Sequence, residues 1–135
     1  MNNPATEALR DILRSSKTIA VVGMSPNPAR PSHEVARYLM AHGYTVIPVN
    51  PGQSEILGQI CYPTLDAIPV KVDLVDVFRN SADVLPIAEA AIRIGAKCLW
   101  LQLGVTHEAG EHLAREAGLS VVVNRCTKID HMTLL

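Results

Sequence analysis

Short β-branched apolar runs alternate along the chain with segments whose apolar residues recur at helical spacing. The runs cover residues 18–22, 44–49, 73–78, 98–101 and 119–123. Several are apolar at successive positions, which predicts strands covered on both faces. The segments between them, 32–42, 81–94 and 106–117, open on Ser or Thr where an N-cap belongs. Each ends before a glycine, Gly43, Gly95 or Gly118, placed for a left-handed helix stop. Strand, helix and strand repeated in this way close into a parallel sheet through right-handed crossovers. The expected fold is α/β: a doubly wound, five-stranded parallel sheet with helices on both faces, in three α/β/α layers.

A chain of 135 residues that is 48% apolar buries about two thirds of its unfolded surface in one core, so 1–135 is expected to be a single domain. Residues 4–15 predict a helix ahead of the first strand. The connection 51–69 is long and rich in Gly, Pro and Ser, and is expected to hold only a short helix near 64–68. Pro86 stands beyond the first position of its helix, which predicts a kink or a late start. The short tail Met132, Thr133, Leu134 and Leu135 reads either as part of a partner surface or as disordered.

Net charge is −1 with 19% charged residues, which leaves no basic field for sequence-independent nucleic-acid binding. An anionic ligand must then be held by local geometry. No apolar run approaches the roughly 20 residues of a membrane span, and Met1, Asn2, Asn3 and Pro4 lack the charged start and apolar segment of a signal peptide. The three cysteines, Cys61, Cys98 and Cys126, include no C-x-x-C and signal neither a disulfide framework nor a zinc site. They read as reduced thiols of a cytoplasmic protein; for Cys126, beside Arg125 and Lys128, a lowered thiol pKa is the alternative.

Ligands on sheets of this kind bind outside the carboxyl ends of the strands, near the point where strand order reverses. The residues there are Gly23-Met24-Ser25, Asn50-Pro51-Gly52, Phe78-Arg79-Asn80, Gln102-Leu103-Gly104 and Asn124-Arg125. Gly23 permits a sharp turn and close approach of a ligand to the backbone. Ser25 offers a hydroxyl, Arg30 a permanent cation, and the start of the helix at Ser32 free amides that favour negative charge. Pro26, Pro28 and Pro31 stiffen the loop. A dinucleotide cofactor is disfavoured, because Gly23 stands without the other glycines of G-x-G-x-x-G and Asn50 replaces the acid that would hold a ribose diol.

These segments resemble the small CoA-binding proteins related to the N-terminal domain of the succinyl-CoA synthetase α subunit and of NDP-forming acyl-CoA synthetases. The resemblance rests on AVVGMSPNPARPSHEVARYL, GYTVIPVNP, VDVFR, IGAKCLWLQLGV and GLSVVVNRCTKIDH, in that order. It implies a Rossmann-like fold that holds CoA or an acyl-CoA across the strand ends. Gly23, Met24, Ser25 and Ser32 would then lie at the phosphates and Arg30 at a phosphate or nearby charge. Asn50 and Pro51 would form the wall around the adenosine part. Phe78 and Arg79, then Gln102 and Gly104, would follow toward the pantetheine path. Arg79 has a second reading, as a surface ion pair. The synthetases use further domains for their chemistry, so the resemblance implies binding without catalysis by this chain alone. An NAD(P)-binding redox sensor or oxidoreductase, and an accessory protein with an unidentified protein partner, are the alternatives.

No catalytic or metal constellation is read. His107 and His112 are five positions apart, about 140° around a helix, whereas H-E-x-x-H needs one face. His107 with Glu111, and Glu108 with His112, are expected to form exposed i,i+4 pairs. His33 lies near the loop and His131 in the tail. Asp76 is expected to be partly buried and hydrogen-bonded in a structural role, and Trp100 to pack in the core or border the ligand.

Overall fold

A computed structural model of the protein describes residues 3–135. Met1 and Asn2, half of the segment weighed against a signal peptide, lie outside the described residues. In chain order the elements are α1 (Thr6–Ser15), β1 (Thr18–Val22), α2 (Pro31–Ala41), β2 (Thr45–Val49), β3 (Glu55–Ile56), β4 (Gln59–Ile60), β5 (Leu74–Val77), α3 (Val84–Arg93), β6 (Cys98–Leu101), α4 (Glu108–Glu116), β7 (Ser120–Val122) and α5 (Thr127–Leu134). Five strands pair in parallel in the order β2-β1-β5-β6-β7. The fold is the expected Rossmann-like α/β sheet. Strand order reverses at β1 and β5, which places the switch point, and the crevice it creates, above Gly23 and Phe78.

Because successive strand residues point to opposite faces, each strand feeds two cores. Ile19 and Val21 pack with Leu9, Leu13, Leu39 and Trp100 beneath α1 and α2. Ala20 and Val22 pack with Val75, Val77, Ala88 and Ala114 beneath α3 and α4. Trp100 is fully buried and its Nε1 donates to the Arg125 carbonyl at 2.8 Å, which fixes it as a core residue. Asp73 Oδ2 accepts from the Lys17 and Thr18 amides at 2.9 and 3.0 Å and so holds the start of β1 against the start of β5. Among the described residues, no helix is long and apolar enough to cross a membrane.

Four local expectations need correction or refinement. The tail is ordered: Met132, Thr133 and Leu134 belong to α5, which is clamped by Arg10 Nε donating to the Leu134 carbonyl at 2.8 Å. Tyr38 Oη and His131 Nδ1, 2.6 Å apart, tie the same helix to α2. The 51–69 connection contains the β3/β4 hairpin besides the expected short helical turn, Leu65–Ala67. Its two-residue turn puts Leu57 and Gly58 at φ +53° and +73°, the geometry of a primed turn with leucine in an unusual place, so the residue types conceal it. Pro86 marks a late start: a 3₁₀ turn, Ser81–Asp83, precedes α3, and the proline falls within the first helical turn, where it interrupts nothing.

The fourth concerns His107 and Glu111, which form a reciprocal cap and no exposed ion pair. His107 Nδ1 accepts from the Gly110 amide at 2.9 Å while the Glu111 carboxylate, 7% exposed, accepts from the His107 amide at 2.8 Å. The free amides at the helix start outcompete a solvated pair. His107→Ala is expected to lower the unfolding free energy by about 1 kcal/mol, measured by urea denaturation.

Candidate functional site

Gly23 ends β1 at φ +83°, and its amide continues the ladder to the Val49 carbonyl at 2.9 Å. A Cβ there would stand 2.4 Å from the Phe78 carbonyl oxygen and 2.7 Å from Arg79 Cδ. The loops after β1 and β5 therefore touch through the space that only glycine leaves. The loop that follows is folded by its own side chains. Ser25 N donates to Ser32 Oγ at 2.9 Å, Asn27 N to Ser25 Oγ at 3.1 Å, and Ala29 N to Asn27 Oδ1 at 3.0 Å. With its prolines, the segment is ordered before any ligand arrives, which lowers the entropy lost on binding.

Above this floor a cavity of about 450 Å³ runs along the ends of β1, β5 and β6. Of the residues expected at a ligand, Gly23, Ser25, Arg30, Ser32, Phe78, Arg79 and Gln102 line it. Pro51 lines a second cavity of about 280 Å³ on the α3 side, with Thr64, Pro86 and Arg93; Arg79 lines both. A third, of about 390 Å³, lies at the opposite strand ends between Arg14, Asp73, Lys97 and Ser120.

Three expected residues take part differently. Met24 is 1% exposed and packs in the core; its carbonyl accepts from Asn50 Nδ2 at 2.9 Å. Asn50 also accepts from the Gly52 amide at 2.8 Å through Oδ1, so it locks the loops after β1 and β2 together. Gly104 donates its amide to Asn124 Oδ1 at 2.6 Å and joins the ends of β6 and β7. Sequence reading misses Val35, Val105 and Cys126 as cavity residues. Cys126 had a signal available, since it follows the Asn124-Arg125 strand end directly.

Positive charge at the cavity comes from two guanidiniums. Arg30 is the N-cap residue of α2, and among the described residues its side chain has no hydrogen bond or ion pair. Arg79 pairs with Asp83 at 3.3 Å, with both side chains about 40% exposed (42% and 40%), so the surface-pair reading holds. A pair so exposed is weak enough to exchange for an anion in the cavity. The helix amides offer less than expected. Pro31 at the first position has no N–H, and the His33 and Glu34 amides already donate to the Arg30 carbonyl at 3.1 and 3.2 Å.

Beneath the cavity lies a buried polar triad. Asp76 is fully buried; Gln102 Nε2 donates to its Oδ1 at 2.6 Å and Thr127 Oγ1 to its Oδ2 at 2.9 Å. Burial pushes the Asp76 carboxyl up to about 7, against the opposing pull of those two hydrogen bonds. The triad ties β5, β6 and the first residue of α5, and thereby fixes the Gln102 side of the cavity. His33, near the loop as expected, is 5% exposed with Nδ1 lacking a partner, and burial lowers its pKa.

Comparison with known proteins gives this geometry a family. The CoA binding domain family matches residues 17–132. The uncharacterized protein YneT of Bacillus subtilis is 37% identical over 131 residues, 97% of each chain. A hypothetical protein from Pyrococcus horikoshii OT3 superposes with a TM-score of 0.94 at 40% identity, over 99% of this chain and 97% of that one. The ADP-forming acetate-CoA ligase I of Archaeoglobus fulgidus is 41% identical over 58 residues, 43% of this chain and 8% of the ligase.

Proposed function

The chain belongs to the CoA-binding domain family, and from that premise we propose that residues 1–135 act as one cytoplasmic domain that binds CoA or an acyl-CoA without catalysing a reaction alone. The observation that carries this reading is the cavity at the switch point, with a glycine floor, a pre-folded loop and two guanidiniums at its rim. The diphosphate lies over Gly23 and Ser25, with Arg30 and Arg79 within reach. The adenosine part extends toward Asn50 and Pro51, and the pantetheine arm past Phe78 and Gln102. A neutral Asn50 suits a ligand with a 3′-phosphate, which a carboxylate at that position would repel. Asp76 and His107 are both taken up by structural hydrogen bonds, which supports a binding role over general-base chemistry.

Isothermal titration with CoA, acetyl-CoA, NAD and NADP tests the reading. Saturable CoA binding is expected, and Arg30→Ala is expected to weaken it about tenfold to a hundredfold through loss of a charge-assisted hydrogen bond. Ser25→Ala is expected to weaken it less. Tight NAD binding with no CoA binding would overturn the proposal in favour of a redox function.

A further inference from the structure

The cavity over Gly23 also holds a thiol. Cys126 lines it from the start of α5, partly exposed, close to Gln102, whose Nε2 donates to Thr127 Oγ1 at 2.9 Å. The other two cysteines are shut away. Cys98 is buried within β6, and Cys61 is buried and donates to the Asn50 carbonyl at 3.5 Å; burial raises the pKa of both thiols. Independently of this placement, the matched family points to a ligand whose reactive end is itself a thiol.

The distances agree. Cys126 lies past β7 and is carried back across the sheet: Thr127 Oγ1 donates to Asp76 of β5 at 2.9 Å and Lys128 Nζ donates to Glu34 of α2 at 2.8 Å, which sets the thiol over β5 and β6, one to two strand spacings of about 4.8 Å from β1. The pantetheine arm has about as many chain atoms as four extended residues, on the order of 14 Å. An arm that starts from phosphates at Gly23 and Ser25 is therefore long enough to bring its thiol to Cys126, which lines the same cavity.

We propose that Cys126 captures oxidised CoA as a mixed disulfide, making the protein a reversible, redox-responsive holder of CoA; this rests on the CoA-binding reading above. The step is an exchange. Cys126 gives its proton to solvent, and its sulfur attacks one sulfur of a CoA disulfide. The S–S bond breaks as the Sγ–S bond forms, and the second CoA leaves as a thiolate that takes up a proton. One disulfide replaces another, so no further oxidant is needed. A reducing dithiol releases the bound CoA as its thiol by two further exchanges, returning Cys126 to the thiol and ending itself as a disulfide.

The test is to incubate the reduced protein with CoA disulfide, follow its intact mass, and map the modified peptide. The expected product is heavier by one CoA less two hydrogens, with the adduct mapped to Cys126, and dithiothreitol removes it. It is expected to form at least about tenfold faster than the glutathione adduct from glutathione disulfide, because the cavity raises the local concentration of the CoA reagent. Desulfo-CoA, which occupies the cavity without a thiol, is expected to block it. If titration shows CoA binding but no adduct forms, or it forms on Cys61 or Cys98, the capture proposal falls and the CoA-binding reading stands. If CoA does not bind and both disulfides react at equal rates, both fall.

Discussion

Replacing Gly23 with alanine is expected to lower the unfolding free energy by about 2–4 kcal/mol and to remove measurable CoA binding. Two costs combine. At φ +83° an L-residue is strained by roughly 1–2 kcal/mol. The added methyl also meets the Phe78 carbonyl at 2.4 Å, and backbone cannot rotate away as a side chain would. Relief requires the loops after β1 and β5 to part, and those loops form the floor on which the phosphates are proposed to rest. Gly43→Ala is the matching control. It has φ +95° but nothing within 4 Å of the new methyl, so it carries the dihedral cost alone and should leave CoA titration unchanged. Urea denaturation and calorimetry on both variants separate the effects. Equal losses in the two would show that the contact between the loops is immaterial.

The same glycine shows how far the sequence could be read. An apolar strand running into Gly23 announces a turn at a strand end, and the helical stops at Gly43, Gly95 and Gly118 all appear at positive φ as their positions imply. These are local rules in which a residue type answers directly to a dihedral. The site was legible to the extent that strand ends converge in any doubly wound sheet. What was hidden depends on contacts between distant segments. Met24 sits in the same triplet as Gly23 and Ser25, yet its side chain turns into the core, a choice decided by Leu39, Trp100 and their neighbours rather than by the loop. Residues 127–134 carry only a weak apolar stripe; α5 is held by Arg10, Tyr38 and the Asp76 triad, all remote in sequence. The β3/β4 strands, two residues each, are too short for any periodicity to register.

That triad supplies the other large effect. Folding raises the Asp76 carboxyl from its ordinary 3.8 to about 7, so the folded protein holds this proton more tightly than the unfolded chain does. Its favourable contribution is therefore complete below about pH 4 and is lost as pH rises through 7, a swing on the order of 4 kcal/mol. Other groups titrate in the same window with the opposite sign: burial lowers the pKa of His33 and His131, and their contributions grow as pH rises. The informative quantity is thus the difference between wild type and Asp76→Asn, in which those histidine effects cancel. Asparagine has nearly the shape of the protonated acid and can keep partners in Gln102 and Thr127. The variant is expected to match wild type near pH 4 and to exceed it by up to about 4 kcal/mol near pH 8, measured by urea denaturation across the range. A difference that stays flat over this range would place the Asp76 titration at its unfolded value. Ionisation would then carry no penalty, the two donated hydrogen bonds from Gln102 and Thr127 offsetting the burial of the charge.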